Sequence, residues 1–376
     1  MDWAIEIELI KDMSDNQFKE YRKIRFESVS EVIKAMVLVC GILLFGYCCA
    51  QAQSIDTMNM ETIQDYCKVL CEDALTSNAC RSSVVIYVAD INEHKPVASM
   101  AYSKTEDGRI TSMPISNYEI SGTAVSKPLD YLCLLVSGHN PHNVFVEIGD
   151  GVYTHDDVYF EDDPYDERPE NSISCHSAYL LNSRVGMMMA LDTCLGCNIS
   201  RYRNAMRKTK IRLIRSDYDV PEEDENNPFG VYDPIDIVGY RTHLSFMEYI
   251  DFLNNLLLPL DSDPELSIHY AALRKAMADH VRFGAGHLAY DWRYEIAAMT
   301  DVSFPDGTMR RTATLGGYYP AESPQYLLAI AINKRGNYGL ADVCELARKV
   351  VTHLPIKESA ETVSKPTRYH PAERGR

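Results

Sequence analysis

The chain is poor in positive charge. Thirty-seven lysines and arginines stand against fifty-four aspartates and glutamates, a formal net charge of −17. That balance argues against nucleic acid as a partner and against adhesion to anionic lipid surfaces. The chain also lacks a second cysteine pair to complement Cys194-Leu195-Gly196-Cys197. No histidine lies at zinc spacing nearby, so a structural disulfide or buried thiols outweigh a metal or redox reading. The acid-dense stretches 156–170 and 217–227 lack EF-hand spacing and read as solvated loops. No internal repeat is present. Finally, no lysine has a serine three positions before it. That excludes a nucleophilic serine one helical turn ahead of a lysine base in the ordinary register.

What is present is ample for a folded body. Of 376 residues, 46% are hydrophobic, enough for one large core or two small ones. Residues 36–50 form one apolar run, with Lys34 before it and Ala50-Gln51-Ala52 after it. A charged n-region, an h-region and a small-x-small exit predict a secretory signal peptide. At 15 residues the run is short of the ~20 that span a bilayer as a helix. A retained membrane anchor is the competing reading. A lipoprotein reading of Cys48 or Cys49 is weaker, because Gly46-Tyr47 does not fit a lipobox. Residues 1–35 mix acids and bases; either Met36 is the true start or they form a short cytoplasmic segment. Export places the eight cysteines beyond Ala52 in an oxidising compartment, where some are expected to pair.

Periodicity organises the rest. Residues 57–75 carry Met60, Ile63, Tyr66, Cys67, Leu70, Cys71 and Ala74 at helical spacing. Residues 84–89 read as a buried strand and 97–102 as its hairpin partner. A helix runs from the Lys127 region to residue 136, and others over 246–258 and 268–282. Residues 327–332 form a core strand, and 340–354 a closing helix. The tail, residues 356–376, is polar and basic at its end and reads as disordered.

Several blocks together resemble a known family. Leu315-Gly316-Gly317-Tyr318-Tyr319-Pro320-Ala321-Glu322-Ser323-Pro324-Gln325-Tyr326, with the apolar run after it, is similar to the Gly-Tyr-Phe-Pro-Ala phrase and core strand of class B penicillin-binding proteins. Ile237-Val238-Gly239-Tyr240 with Leu244, Ser245, Leu253, Asn254 and Asn255 resembles a second block. Gly284-Ala285-Gly286-His287, with the stretch from Tyr294 to Asp301, resembles a third. Residues 84–90, 104–108 and 117–118 resemble the strand and loop before the family's catalytic helix. The blocks are colinear and cover roughly residues 54–352.

The resemblance implies an α+β serine β-lactamase/transpeptidase-like fold: an antiparallel sheet flanked by helices, plus a helical subdomain, over residues 54–355. Residues 36–52 then form the signal or anchor, and the large pedestal that usually precedes this domain is not expected. It implies no cofactor and no metal.

It also places three motifs. Counting back from Lys127, the nucleophile position holds Ala124, whose methyl group cannot attack a carbonyl. Thr123 and Ser126 point about 100° off that helical face, and Ser121 lies three positions too early. The relay motif aligns with Asn182-Ser183-Arg184, where a permanent cation replaces the asparagine. The Lys-Thr-Gly motif aligns with Met299-Thr300-Asp301. The cation is gone, and Asp301 puts negative charge where a substrate carboxylate would sit. At about 4 Å and an effective dielectric near 20 that repulsion is worth roughly 4 kcal/mol.

The expectation is therefore a pseudoenzyme: a peptidoglycan-related protein of the cell envelope, exported to the periplasm or anchored facing it. It would bind peptidoglycan or cell-wall synthesis and division proteins, with membrane contact only through an uncleaved N-terminal segment. The alternative is an active D,D-transpeptidase or carboxypeptidase with a displaced nucleophile, Ser121, Thr123 or Ser126, served by Lys127. A third possibility is a structural protein or decaying gene product.

Overall fold

The computed structural model describes residues 62–155, 158–162, 172–196, 198–211, 243–257, 263–303, 310–335 and 339–356. Residues 1–35, the run 36–50, most of 156–170, Cys197, the stretch 217–227, the block at 237–240 and the tail beyond 356 lie outside them. Among the described residues, no helix is long and apolar enough to cross a membrane.

Helix α1 spans Ile63–Ser77 and buries Tyr66, Cys67, Leu70, Cys71 and Ala74 along one stripe. Thr62 caps it, its hydroxyl accepting the Asp65 amide at 3.2 Å; residues 57–61 of the expected helix, with Met60, lie outside the described residues. Strands β1 (Arg81–Asp90), β2 (Lys95–Lys104) and β3 (Ile110–Met113) follow as an antiparallel meander. Strand β4 (Glu119–Ser121) leads into α2 (Thr123–Val136). A mixed region comes next: β5 (Phe145–Glu147), β6 (Val152–His155), β7 (Val158–Glu161), β8 (Ser172–Ser174), α3 (Cys175–Leu180), α4 (Arg184–Leu195) and α5 (Ile199–Thr209). Then come β9 (His243–Ser245), α6 (Phe246–Asn255) and α7 (Pro264–Phe283). Strands β10 (Ala297–Ser303), β11 (Arg310–Tyr319) and β12 (Tyr326–Arg335) precede the closing helix α8 (Leu340–Val351).

The main sheet has six strands in the order β10-β11-β12-β1-β2-β3, every neighbouring pair antiparallel. Its centre joins an early strand to a late one: Val85 faces Ala331 and Ile86 faces Ile330. Strand β1 is buried on both faces over most of its length, which is why it reads as an apolar run rather than an alternation. Helices α1 and α8 share one side, where Tyr66 stacks on His353 with ring centroids 3.7 Å apart. The helical region packs on the other, around a core that includes Leu129, Leu132, Tyr179, Met188, Phe246 and Leu273. Two glycines permit this closeness. A Cβ on Gly316 would sit 2.1 Å from the Tyr249 hydroxyl, and one on Gly317 would sit 2.0 Å from the Ala297 carbonyl.

The architecture is thus α+β, with an antiparallel sheet flanked by helices and a helical subdomain, as the resemblance implies. Two local expectations change. Part of the acid-dense stretch is not a solvated loop: β7 pairs with β6, and Asp162 after it is buried. Nor do the described cysteines pair. Cys67, Cys71, Cys80, Cys133, Cys175, Cys194 and Cys344 are free thiols. Most are sealed in the core, and burial pushes the Cys67 thiol up to about 12.

Candidate functional site

Helix α2 carries the first position. Gly122 precedes it, and every residue from Thr123 to Leu134 is buried. Ala124 is 3% exposed and its methyl group joins the main core cluster. Lys127 follows one turn later, 2% exposed. A lysine ammonium at that depth needs a partner, since an isolated buried charge is costly. It has two. Nζ lies 2.9 Å from Asp301 Oδ1 and donates to Asn182 Oδ1.

Asp301 is the hub. Its Oδ1 also takes Arg184 Nη2 at 3.0 Å, and its Oδ2 accepts the Thr123 hydroxyl at 2.5 Å. Burial alone would raise the Asp301 carboxyl. Lys127, then Arg184, with the Thr123 hydrogen bond, overcome that and hold it far below the usual carboxylate range. Arg184 Nη2 also donates to the Val302 carbonyl on β10, the edge strand. The guanidinium thereby occupies a main-chain acceptor of that strand.

The second motif forms the turn between α3 and α4. Asn182 has φ +66°, the left-handed region that asparagine tolerates better than most residues, and its side chain meets Lys127 from there. Ser183 caps α4, its Oγ accepting the Gly186 amide at 2.8 Å. The same hydroxyl donates to Asp162 Oδ2 at 2.6 Å. Asp162 Oδ1 accepts the amides of Arg184 at 2.7 Å and Val185 at 3.1 Å. A carboxylate on the first amides of a helix satisfies donors that have no partner within it.

The third motif lies on β10. Met299 is buried and packs in the core. Thr300 and Asp301 are adjacent and so face opposite sides of the strand. Thr300 meets His280 of α7: its hydroxyl is 2.8 Å and its amide 3.3 Å from Nε2. The Leu180 carbonyl accepts from Nδ1 at 2.9 Å. These contacts fix the tautomer, with the proton on Nδ1 and the Nε2 lone pair facing Thr300. Burial first, and the Lys127 charge second, hold the imidazole down at about 3.

The structure therefore brings Lys127, Asn182, Arg184 and Asp301 into one buried cluster. Ser183 sits at its edge through the Asp162 cap. Three residues of this neighbourhood do not stand out in the sequence: Thr123 as a partner of Asp301, Asp162 and His280. The repulsion estimated for Asp301 needs correction, because it holds for a lone carboxylate. Two cations compensate this one. The Thr123 hydroxyl donates to Asp301, and the Ser126 hydroxyl donates to the Thr123 carbonyl of its own helix at 3.1 Å. A protonated lysine has three donors and no lone pair, so the arrangement presents an ammonium where acyl transfer needs a base. Among the described residues, no group of three or more His, Cys, Asp or Glu side chains gathers in a metal-binding arrangement.

No family model and no curated protein matches the chain. Solved structures do. The transpeptidase domain of a D,D-transpeptidase from Legionella pneumophila aligns over 77% of this chain and 95% of its own, with a TM-score of 0.54 at 14% identity. Penicillin-binding protein 3 from Mycobacterium tuberculosis, in its ampicillin complex, aligns over 80% and 78% with a TM-score of 0.58 at 13% identity. The transpeptidase domain of penicillin-binding protein 3 from Burkholderia pseudomallei aligns over 77% and 92% with a TM-score of 0.56 at 12% identity. The fold is that of a penicillin-binding-protein transpeptidase domain. Identities this low establish the transpeptidase fold and leave the chemistry to be argued from the residues.

Proposed function

We propose that this chain is a transpeptidase-like protein of the cell envelope, related through its fold to peptidoglycan cross-linking, in which the scaffold serves binding rather than bond making. One observation carries the reading. Lys127, one turn after Ala124, is held as an ammonium by Asp301, which is itself held by Arg184 and Thr123. The nucleophile position carries a methyl group, and the candidate base has its lone pair committed to a proton. The apolar run and small-x-small site at residues 36–52 support export to the periplasmic side. Peptidoglycan itself, or a protein of cell-wall synthesis or division, is the partner that this placement supports.

The test is incubation of the full chain with a fluorescent penicillin, read by intact mass. The expected result is no adduct. An adduct mapped to Ser121, Thr123 or Ser126 would overturn the proposal in favour of an active enzyme with a displaced nucleophile. Co-sedimentation of the unmodified chain with purified peptidoglycan measures the binding role directly.

A further inference from the structure

The strongest local contrast in charge lies on α5, which shares no residue with the buried cluster. Between Asp192 and Asp217 the sequence contains no acidic residue, although the chain as a whole carries −17. That stretch holds Arg201, Arg203, Arg207, Lys208, Lys210, Arg212 and Arg215. Helix α5 fixes how the first of them are displayed. Tyr202, Ala205 and Thr209 are buried, and the Tyr202 hydroxyl donates to Asp130 of α2 at 2.8 Å. At about 100° per residue, the opposite arc presents Arg201, Asn204, Arg207 and Lys208, all exposed. Arg201, Arg207 and Lys208 make no ion pair with any described residue.

A second feature adjoins this face. A cavity of about 330 Å³ opens at the C-terminal end of α5, lined by Lys208 and Lys210, by Val136 and Leu266, and by His269. Asp263 and Glu265 also line it, and Asp263 is neutralised by Lys210 at 2.7 Å. The cavity offers an apolar floor beside a rim of mixed charge, and Lys208 joins it to the cationic face of α5.

We infer that the exposed face of α5, with this cavity, docks an acidic protein segment that carries one apolar side chain. Charge complementarity supplies the acidic part, and the arginine forks suit paired carboxylates. The Val136 and Leu266 floor supplies the apolar anchor, which a uniform polyanion could not use. A membrane surface fits less well, because the apolar side of α5 is already spent on α2 and has nothing to insert. The overall negative charge does not forbid docking, since screening beyond about 8–10 Å leaves the local cations in control.

The experiment uses the full chain and a labelled glutamate-rich peptide with one central leucine, titrated by fluorescence anisotropy at moderate and high salt. The expected result is saturable binding that weakens with salt. The R201E/R207E/K208E variant should weaken it roughly tenfold or more, and leucine-to-glutamate in the peptide should also weaken it. A charge-matched control, K68E/K95E/R348E, reverses three exposed cations away from this face and should leave it unchanged. Circular dichroism checks that the variants remain folded; if the triple variant does not, the single R207E replaces it. Absence of binding, or equal binding by the folded α5 variant, overturns the inference. So does tighter binding of inorganic polyphosphate or phosphatidylglycerol vesicles than of the peptide.

Discussion

Two neighbouring residues on β10 solve the same problem in opposite ways. Thr300 and His280 form a neutral pair in which each polar atom of the imidazole has a hydrogen-bond partner. Asp301, on the other face, anchors a charged cluster with Lys127, Arg184 and Thr123. The neutral device avoids charge desolvation altogether. The charged one is stable only while its signs balance, because losing one partner leaves an uncompensated charge in the interior. The charged side is closed on itself by its ion pairs, and the asymmetry between the two faces bears on stability.

The comparison is broken most severely by removing the hub. Asp301→Ala should cost about 4 kcal/mol in urea unfolding, since it strands two buried cations. Asp301→Asn should cost nearly as much, despite its similar shape. Replacing the triad together, Lys127→Met, Arg184→Met and Asp301→Leu, should recover most of that loss. An unrecovered triple variant would mean that the cluster matters for shape rather than charge. Next comes Asp162→Ala, which removes the acceptor for Ser183 and for two amides of α4. It should cost about 2 kcal/mol in the same measurement.

The neutral face is sharpened by pH. His280 has an ordinary value of 6.5 and is held at about 3 when folded. Between these values the unfolded chain binds a proton that the folded chain refuses. Stability is therefore full above about 6.5 and falls with decreasing pH, by up to about 1.4 kcal/mol per pH unit. His280→Gln should flatten that part of the profile while Asp301 still contributes its own loss at lower pH. The smallest effect belongs to Ala124→Ser, below about 1 kcal/mol, if the buried hydroxyl reaches a carbonyl of its own helix. Penicillin should still leave no adduct on this variant, because Lys127 remains an ammonium. Acylation of Ala124→Ser would show that the lysine can surrender its proton within the cluster.

Much of this was legible in the sequence, for identifiable reasons. Three strands of the main sheet, β1, β2 and β12, and the helices α7 and α8 follow from apolar runs and periodicity, whereas β3, β10 and β11 do not stand out as strands and α7 begins four residues earlier than expected. Alignment to the family motifs gathered Lys127, Asn182, Arg184 and Asp301, although only Lys127 is of the type the family's chemistry uses at its position, because motif spacing survives as a record of the fold. What escaped depended on tertiary placement. The angle between Thr123 and Lys127 along one helix hides the role of Thr123, because its partner comes from β10. Asp162 lies in an acid-rich stretch where each carboxylate looks solvated, and only the arrival of α4 makes this one a cap. His280 is one polar residue among many in a long helix, and nothing local distinguishes it until Leu180 and Thr300 are in place.

The central pairing of β1 with β12 carries a consequence for how the molecule is made. Val85 waits for Ala331, and Ile86 for Ile330, across more than two hundred intervening residues. The hairpin of β1 and β2 can form early, but the inner edge of β1 stays open until almost the whole domain has been synthesised. Closing so large a loop is entropically uphill, and folding dominated by such contacts is slow. Until β12 arrives, an apolar strand offers its unpaired backbone to any neighbour. A chain truncated after β11 is therefore expected to aggregate rather than fold to a smaller version of itself.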